Sequence, residues 1–304
     1  MNALQLIDGL HLGRPHVIAT GVVADAAGPL ALIDCGPESV FTETVRGLRR
    51  LGLAPEQVTH VCVTHIHFDH AGAAWRWAAD YGATVCVHPV GAPHLADPSR
   101  LVASATKIFG ERMGELWGEM RAVPADKLCV VSDGEEVRVG STLLRAVETP
   151  GHAPHHHAWW LPAERTLYAG DVAGVVIDGG PCLPPCPPPD INLARWRDSL
   201  ARLRALQPRR LALTHFGFID DVEPRLAELE QRLARWAEWM RTELRAGREP
   251  AEITPRFERY VWDELRAAGL GAEAIATYEQ ADPAAMSVTG LARYWRKLHP
   301  EALA

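Results

Sequence analysis

The residues with the clearest chemical meaning lie in one short segment, VTHVCVTHIHFDHAG. It contains His65, His67, Asp69 and His70 between an apolar, strand-like run and a helical pattern. Side chains two positions apart on a strand share a side, so His65 and His67 should converge on one point. Asp69 and His70 should reach a neighbouring point at the helix start. Imidazole and carboxylate groups suit zinc, iron or manganese, so the segment predicts ligands for two adjacent cations rather than a surface histidine cluster or a tag.

Three further candidates follow predicted strands elsewhere in the chain. They are His152 in ETPGHAPHHH, Asp171 in LYAGDV and His215 in LALTHFG. Open α/β sites gather their functional groups at strand ends. Each residue alone is compatible with a core or surface role. Together with the first four they provide seven nitrogen and oxygen ligands and no cysteine.

Three histidines follow His152 closely, and no metal-ligand role is assigned to them. Along a strand, alternation would place His155 and His157 on one face and His156 on the other. They are candidates for pocket residues or for donors that support the ligands.

The elements that must position these residues alternate between short apolar runs and helical patterns. Strands are predicted at 17–24, 30–34, 60–64, 84–88, 136–139, 143–148, 158–161, 166–169 and 210–213. Helices are predicted between them at 39–53, 70–81, 99–120 and 193–206. Strands interleaved with helices indicate a layered α/β domain.

The pattern changes after His215. Residues 222–246 have helical apolar spacing, and further helices are predicted at 255–268 and 286–298. We therefore predict a catalytic domain at 1–220 and a helical extension at 221–304. The extension would cap the site, form a homodimer surface, or do both, and its tryptophans are interpreted as core residues.

Cysteine and proline usage leaves two alternatives open. Cys35, Cys62, Cys86 and Cys129 lie in apolar contexts typical of buried, reduced thiols. Cys182 and Cys186 lie in the proline-rich segment 179–189, where a disulfide or metal clip is a minor alternative. That segment is either a rigid connector or a preformed wall beside a pocket.

Composition narrows the class of protein. The chain has 304 residues, 47% of them hydrophobic and 23% charged, which is typical of a globular protein. A net charge of −7 gives no electrostatic footprint for nucleic acid. The sequence predicts no membrane segment and no signal peptide, so a cytoplasmic location is expected.

These motifs, taken together and in this order, resemble those of the metallo-β-lactamase superfamily. The resemblance covers about residues 15–220 and begins with Asp34 in ALIDCG. It implies an αββα sandwich with the metals at one sheet edge. It also implies the following roles: His65, His67 and His152 on one metal; Asp69, His70 and His215 on the other; Asp171 bridging the two; and Asp34 orienting the ligand turn through hydrogen bonds without binding metal.

The resemblance implies a dinuclear hydrolase with Asp69 and Asp171 as catalytic residues. Two divalent ions, zinc first with iron or manganese as alternatives, would form a bridging hydroxide that attacks the substrate. The expected substrate is a small molecule with an ester-type bond, namely a carboxylic ester, a lactone or a phosphoester. A glutathione thioesterase, a persulfide dioxygenase-like enzyme and a non-catalytic metal-containing binding module are the alternatives. The branch stays open, because Phe216 and Gly217 replace the Glu-Tyr of thioesterases, and Gly174 replaces the tyrosine of many lactonases.

Overall fold

The computed structural model describes residues 4–25 and 28–303. Within them, twelve strands form two six-stranded sheets. The first sheet has the order β1-β2-β3-β4-β5-β6 and the second has the order β12-β11-β10-β9-β8-β7. The strands are β1 (Leu4–Asp8), β2 (Ala19–Ala24), β3 (Leu30–Ile33), β4 (Val58–Cys62), β5 (Thr84–Val87), β6 (Leu128–Val130), β7 (Glu136–Val139), β8 (Thr142–Glu148), β9 (His157–Leu161), β10 (Thr166–Tyr168), β11 (Arg210–Leu213) and β12 (Gly217–Ile219).

Both sheets mix strand directions. In the first sheet, β1, β2 and β3 pair antiparallel, whereas β3 to β6 pair parallel. In the second sheet, β10 and β11 pair parallel and the other neighbours pair antiparallel. Parallel neighbours need crossover connections, which bring helices onto the outer faces.

Burial of both faces explains why the strands are continuously apolar rather than alternating. On β3, Leu32 packs with Trp77 of a covering helix. The next residue, Ile33, packs with Trp159 of the opposite sheet. One face of the first sheet is therefore covered by helices and the other by the second sheet.

The helices lie outside the paired sheets. Those before the second sheet are α1 (Phe41–Arg50), α2 (Phe68–Ala71), α3 (Ala74–Tyr81), α4 (Ala92–Ala96), α5 (Ser99–Phe109) and α6 (Met113–Trp117). One helix lies between β10 and β11, namely α7 (Leu193–Ala205). The helices after β12 are α8 (Val222–Arg245), α9 (Pro250–Ala267), α10 (Ala272–Ala281) and α11 (Ala284–Arg293). The predicted αββα sandwich with a helical C-terminal region is confirmed.

The C-terminal helices share one apolar core with the second sheet. Trp236 of α8 and Phe257 of α9 belong to the same buried cluster as Leu167 of β10 and Leu213 of β11. A fully buried side chain of this size stabilises the fold by about 1.5–3 kcal/mol. Helices α8–α11, which we call the helical tail, therefore complete the outer core of the second sheet. The division at residue 220 stays a prediction.

The nine predicted strands are present with small shifts of their ends, and β1, β6 and β12 were not predicted. The prediction of one helix over 99–120 was wrong. Gly110, with φ of +55°, ends α5, and Gly118, with φ of +67°, ends α6. A helix cannot continue through a left-handed residue, and glycine adopts that conformation without steric cost. The helix predicted over 70–81 is likewise divided into α2 and α3.

The tail helices differ in extent from their prediction. The second one begins at Pro250 rather than at 255, because Glu249 and Glu252 form a capping box at its start. Helix α10 was not predicted. All six cysteines are free thiols, so the Cys182–Cys186 disulfide is absent. Among the described residues, no helix combines the length and apolarity needed to cross a membrane.

Candidate metal centre

The first group of candidate ligands consists of three imidazoles. The turn after β4 carries His65 and His67, and the loop after β8 carries His152. Nδ1 of His67 lies 2.8 Å from Nε2 of His65 and 3.1 Å from Nε2 of His152. Nitrogens bound to one zinc ion at roughly 2.0–2.1 Å would have a similar spacing. These atoms fit three ligands of one cation.

The second group lies beside the first. Asp69 and His70 lie in the short helix α2, and His215 lies two residues after the end of β11 at Leu213. Oδ2 of Asp69 is 3.3 Å from Nε2 of His215 and 3.7 Å from Nε2 of His70. The candidate ligand atoms of this group all lie within 4.8 Å of one another.

Asp171 lies between the two groups. Its Oδ2 is 3.3 Å from Nε2 of His152. Its Oδ1 is 3.3 Å from Nε2 of His70 and 3.6 Å from Nε2 of His215. The two oxygens of one carboxylate thus face different groups.

The site leaves buried polar atoms without hydrogen bonds. Among the described residues, Nε2 of His70 and Oδ1 of Asp171 are buried and have no hydrogen-bond partner. A buried polar atom without a hydrogen bond destabilises the folded state unless another interaction replaces the hydrogen bond that it makes to water in the unfolded chain. A divalent cation bound by these atoms removes that cost, so the donor set fits a metal.

The far nitrogens of three imidazoles are held by acceptors. Nδ1 of His70 donates to Oδ2 of Asp34 (2.7 Å), and Nδ1 of His215 donates to the carbonyl of Val17 (2.6 Å). Nδ1 of His152 donates to the carbonyl of Pro185 (2.9 Å). Each contact fixes the proton on Nδ1 and leaves the lone pair of Nε2 facing the site, as a metal-binding histidine requires.

Asp34 connects the strands around this centre. Its Oδ1 accepts from the N–H of Thr64 (2.7 Å). Its Oδ2 accepts from the hydroxyls of Thr64 (2.9 Å) and Thr214 (2.8 Å), besides the ring of His70. The carboxylate is fully buried and does not belong to any candidate ligand group. These hydrogen bonds support the predicted orienting role.

Burial and charge shift the titration of the site. Burial, reinforced by the charge of His70, holds the pKa of His65 well below its ordinary value. Burial and the neighbouring His152 lower the pKa of His67 to about 3. Burial would raise the pKa of Asp171, but the imidazoles of His70 and His152 outweigh it and hold that pKa well below the usual range. Neutral imidazoles and ionised carboxylates are the forms that bind metals, and His65, His67 and Asp171 favour these forms. Although burial opposes it, the carboxylates of Asp171 and Asp69 raise the pKa of His70 and His215, so these two rings would lose a proton when a metal binds.

Sequence reasoning missed Thr64 and Thr214, although each directly precedes a candidate ligand in a repeated Thr-His pair. The histidines after His152 do not alternate as predicted, because β9 begins only at His157. His155 and His156 precede that strand, and both rings approach the ring of His65. None of the three belongs to a candidate ligand group.

A cavity of about 370 Å³ is lined in part by Phe68, which lies between His67 and Asp69 in the sequence. Apolar side chains of α5, α6 and the following segment line much of it, among them Val102, Met113 and Met120. The proline-rich segment is buried from residue 181 to 186 and contacts His152 through Pro185.

Comparison with known proteins finds a matching family and several relatives of this chain. A family model described as the metallo-beta-lactamase superfamily matches residues 13–215. The metallo-beta-lactamase fold-containing protein ST1585 of Sulfurisphaera tokodaii is 29% identical over 185 residues, which are 59% of this chain and 68% of that protein. A hydroxyacylglutathione hydrolase of a Bradyrhizobium species is 28% identical over 196 residues, which are 63% of this chain. The match spans only 56% of that relative's own length.

Some of the solved structures with a similar fold match nearly the whole chain. A metallo-beta-lactamase family protein from Thermus thermophilus, TTHA1429, has a TM-score of 0.70 and 22% identity. The similarity covers 98% of this chain and 94% of that one. The neighbour's fold therefore has counterparts of the helical tail as well as of the sandwich.

Proposed function

Because this chain belongs to the metallo-β-lactamase superfamily, we propose that it is a metallo-hydrolase with two divalent cations. It cleaves an ester-type bond in a small molecule, either a carboxylic ester, a lactone or a phosphoester. The observation that carries this proposal is the position of Asp171, whose Oδ1 and Oδ2 face different groups of candidate ligands. A carboxylate so placed can serve two cations at once.

The proposed ligands follow the two groups. His65, His67 and His152 hold one cation, and Asp69, His70 and His215 hold the other, with Asp171 shared. Nitrogen and oxygen donors without thiolates favour zinc, with iron or manganese as alternatives. When bound, the cations would supply positive charge that lowers the pKa of water and stabilises charge developing on the substrate.

The chain's own residues do the positioning and the proton transfer. The carboxylate of Asp69 is 22% exposed, whereas that of Asp171 is only 5% exposed. Asp69 is therefore the carboxylate that reaches substrate and accepts a proton from it or from water. Asp34 fixes the ring of His70 and connects it to the strand ends at Thr64 and Thr214.

The cavity beside Phe68 suggests which part of a substrate is recognised. An apolar substituent entering it would contact Phe68 and Met113. Because Phe68 directly precedes Asp69 in α2, we infer that the scissile bond would then lie near the carboxylate of Asp69. Burying apolar surface favours binding by about 25 cal/mol per Å². Esters with an apolar substituent are thus the preferred substrates.

A thioester is the second candidate substrate. Several relatives are hydroxyacylglutathione hydrolases, at 27–31% identity. Two of these matches cover 60% and 51% of this chain and 54% and 45% of the relatives' own length. Two complete ligand groups argue against a mononuclear dioxygenase-like enzyme and against a non-catalytic binding module. We further propose that the helical tail caps the site or forms a homodimer surface, and that the protein acts in the cytoplasm.

The test is turnover by protein of known metal content. Metal-loaded and metal-free protein are assayed on a panel of esters, lactones, thioesters and phosphoesters, and bound metal is counted by elemental analysis. We expect about two metals per chain and hydrolysis of an ester-type bond that is lost on metal removal.

Asp171→Ala provides the matched variant. It should lose metal and activity together, because both cations share that carboxylate. Unchanged metal content in Asp171→Ala would contradict the bridging role. Binding of one metal with His215 dispensable would refute the dinuclear proposal.

A further inference from the structure

The proline-rich loop (residues 179–189) lies between the candidate metal centre and the helical tail. One peptide group in this loop, between Pro185 and Cys186, contacts both. Its carbonyl accepts from Nδ1 of His152 (2.9 Å), and its N–H donates to Oγ of Ser287 on α11 (3.1 Å). A single planar group thus joins a candidate ligand to the tail.

The contact continues into the tail. Oγ of Ser287 accepts from the peptide, so its own hydrogen is available to donate to Oδ1 of Asp282 (3.3 Å). His152, Cys186, Ser287 and Asp282 are all at least nine-tenths buried. Water therefore does not compete for these hydrogen bonds, and the buried Oδ2 of Asp282 has no hydrogen-bond partner in the described residues.

Close packing holds the loop against α11. A Cβ added at Gly290 of α11 would collide with the carbonyl oxygen of Cys186, so the glycine lets the helix backbone pack directly on the loop. That oxygen belongs to the next peptide group, between Cys186 and Pro187. The tail thus restrains the chain directly after the Pro185–Cys186 peptide, in addition to the hydrogen bond from that peptide to Ser287.

We propose that Ser287 and Asp282 are positioning residues for His152, acting through the Pro185–Cys186 peptide. The inference rests on the proposed role of His152 as a metal ligand. When the N–H of a peptide donates to an acceptor, the carbonyl of the same peptide becomes more polarised, and hydrogen bonds in such a chain strengthen one another. A more strongly accepting carbonyl holds Nδ1–H of His152 and makes Nε2 a better ligand.

The other tail contacts hold the loop elsewhere. The hydroxyl of Tyr278 accepts from the N–H of Ile177 and donates to the carbonyl of Pro181. Arg232 donates to the carbonyl of Cys182, and Arg293 donates to that of Pro189. These contacts restrain the same loop without touching the peptide that binds His152, and so they provide a control.

The decisive comparison is Ser287→Ala against Tyr278→Phe. Each substitution removes one buried hydroxyl. The hydroxyl of Ser287 accepts from a backbone N–H within the loop, and that of Tyr278 accepts from one just before the loop. Zinc affinity is measured by competition with a chromophoric chelator, and the His152 ring is observed in long-range ¹H–¹⁵N spectra of metal-free protein. We expect Ser287→Ala to weaken the site containing His152 about tenfold, the lower end of the effect of outer hydrogen-bond partners, and to shift the Nδ1–H resonance. Tyr278→Phe should change neither.

A second pair of variants serves if Ser287→Ala fails to fold. Asp282→Asn keeps an oxygen acceptor for Ser287 and should bind zinc like the wild type. Asp282→Leu lacks it and should resemble Ser287→Ala. The proposal would be overturned if Ser287→Ala and Tyr278→Phe had equal effects. It would also be overturned if zinc affinity and the His152 resonance were unchanged in both Ser287→Ala and Asp282→Leu. Wild-type protein that binds no metal would instead overturn the proposed function.

Discussion

Asp34→Asn tests whether one carboxylate organises the candidate metal centre. Asp34 has φ of +51°, a left-handed conformation that Asn tolerates as well as Asp does. The variant therefore changes the hydrogen bonds without straining the backbone. Alanine at this position would confound the two effects.

The magnitude follows from the four donors that Asp34 accepts. With its amide oxygen in the place of Oδ2, Asn keeps His70 and both threonine hydroxyls. Its NH₂ group then faces the buried N–H of Thr64, which loses its acceptor at a cost of about 1–3 kcal/mol. The three remaining hydrogen bonds weaken, because they are no longer made to a charged group. A neutral amide costs less free energy to bury than a carboxylate, which offsets part of this loss. We expect the free energy of unfolding to fall by about 2–4 kcal/mol in total.

The assay is urea unfolding of metal-free protein, in which the midpoint should fall at an unchanged slope. Asp80→Asn is the control, because Asp80 pairs with Arg76 at the surface, where such a contact contributes about 0–1 kcal/mol. Zinc affinity should also fall, by about 10- to 100-fold, as the ring of His70 is held less firmly. An Asp34→Asn variant as stable as Asp80→Asn would refute the reasoning.

Four further predictions concern single elements. His215→Ala should lose one of two metals by elemental analysis; loss of both would contradict separate ligand groups. Phe68→Ala should raise KM for esters with an apolar substituent at unchanged metal content; an unchanged KM would exclude the adjoining cavity from binding. Removing residues 221–304 deletes Trp236 and exposes the apolar residues of its cluster on the second sheet, such as Leu167 and Leu213, and should abolish cooperative thermal unfolding; a folded, monodisperse fragment would disprove this. Burial raises the pKa of Glu279 from 4.5 to about 7, so the folded state retains a proton there that the unfolded chain loses. Stability should then fall as pH rises through that window; Glu279→Gln should remove this slope in urea titrations near pH 5 and pH 8, and an unchanged slope would contradict it.

Local sequence patterns predicted most of the sandwich. Apolar runs such as LALI at β3 have the composition of strands buried on both faces, and residues 222–246 have the apolar spacing of a helix. The short edge strands β6 and β12 were not predicted, because three residues are too few to show a periodic pattern. The break in the helix predicted over 99–120 depends on the left-handed conformations of Gly110 and Gly118, which glycine permits but does not impose.

The sequence by itself determined which residues are available as ligands, because residue type and spacing after β4 are local properties. His65, His67, Asp69 and His70 lie in one turn whose geometry follows from a strand meeting a helix. Positions after predicted strands extended the list to His152, Asp171 and His215, and the resemblance to a known set of motifs divided the candidates between two metals. Asp34 was likewise expected beside the ligands.

Only the tertiary structure decided how the atoms of distant residues face one another. Asp171 directs one oxygen to His152 and the other to His70, and no local pattern encodes that orientation. Ser287 reaches the Pro185–Cys186 peptide from a helix about a hundred residues away in sequence. Such contacts arise when two sheets and a tail share a close-packed core, where each position depends on all its neighbours. The identity of the candidate ligands therefore follows from local sequence, whereas their geometry is a property of the whole fold.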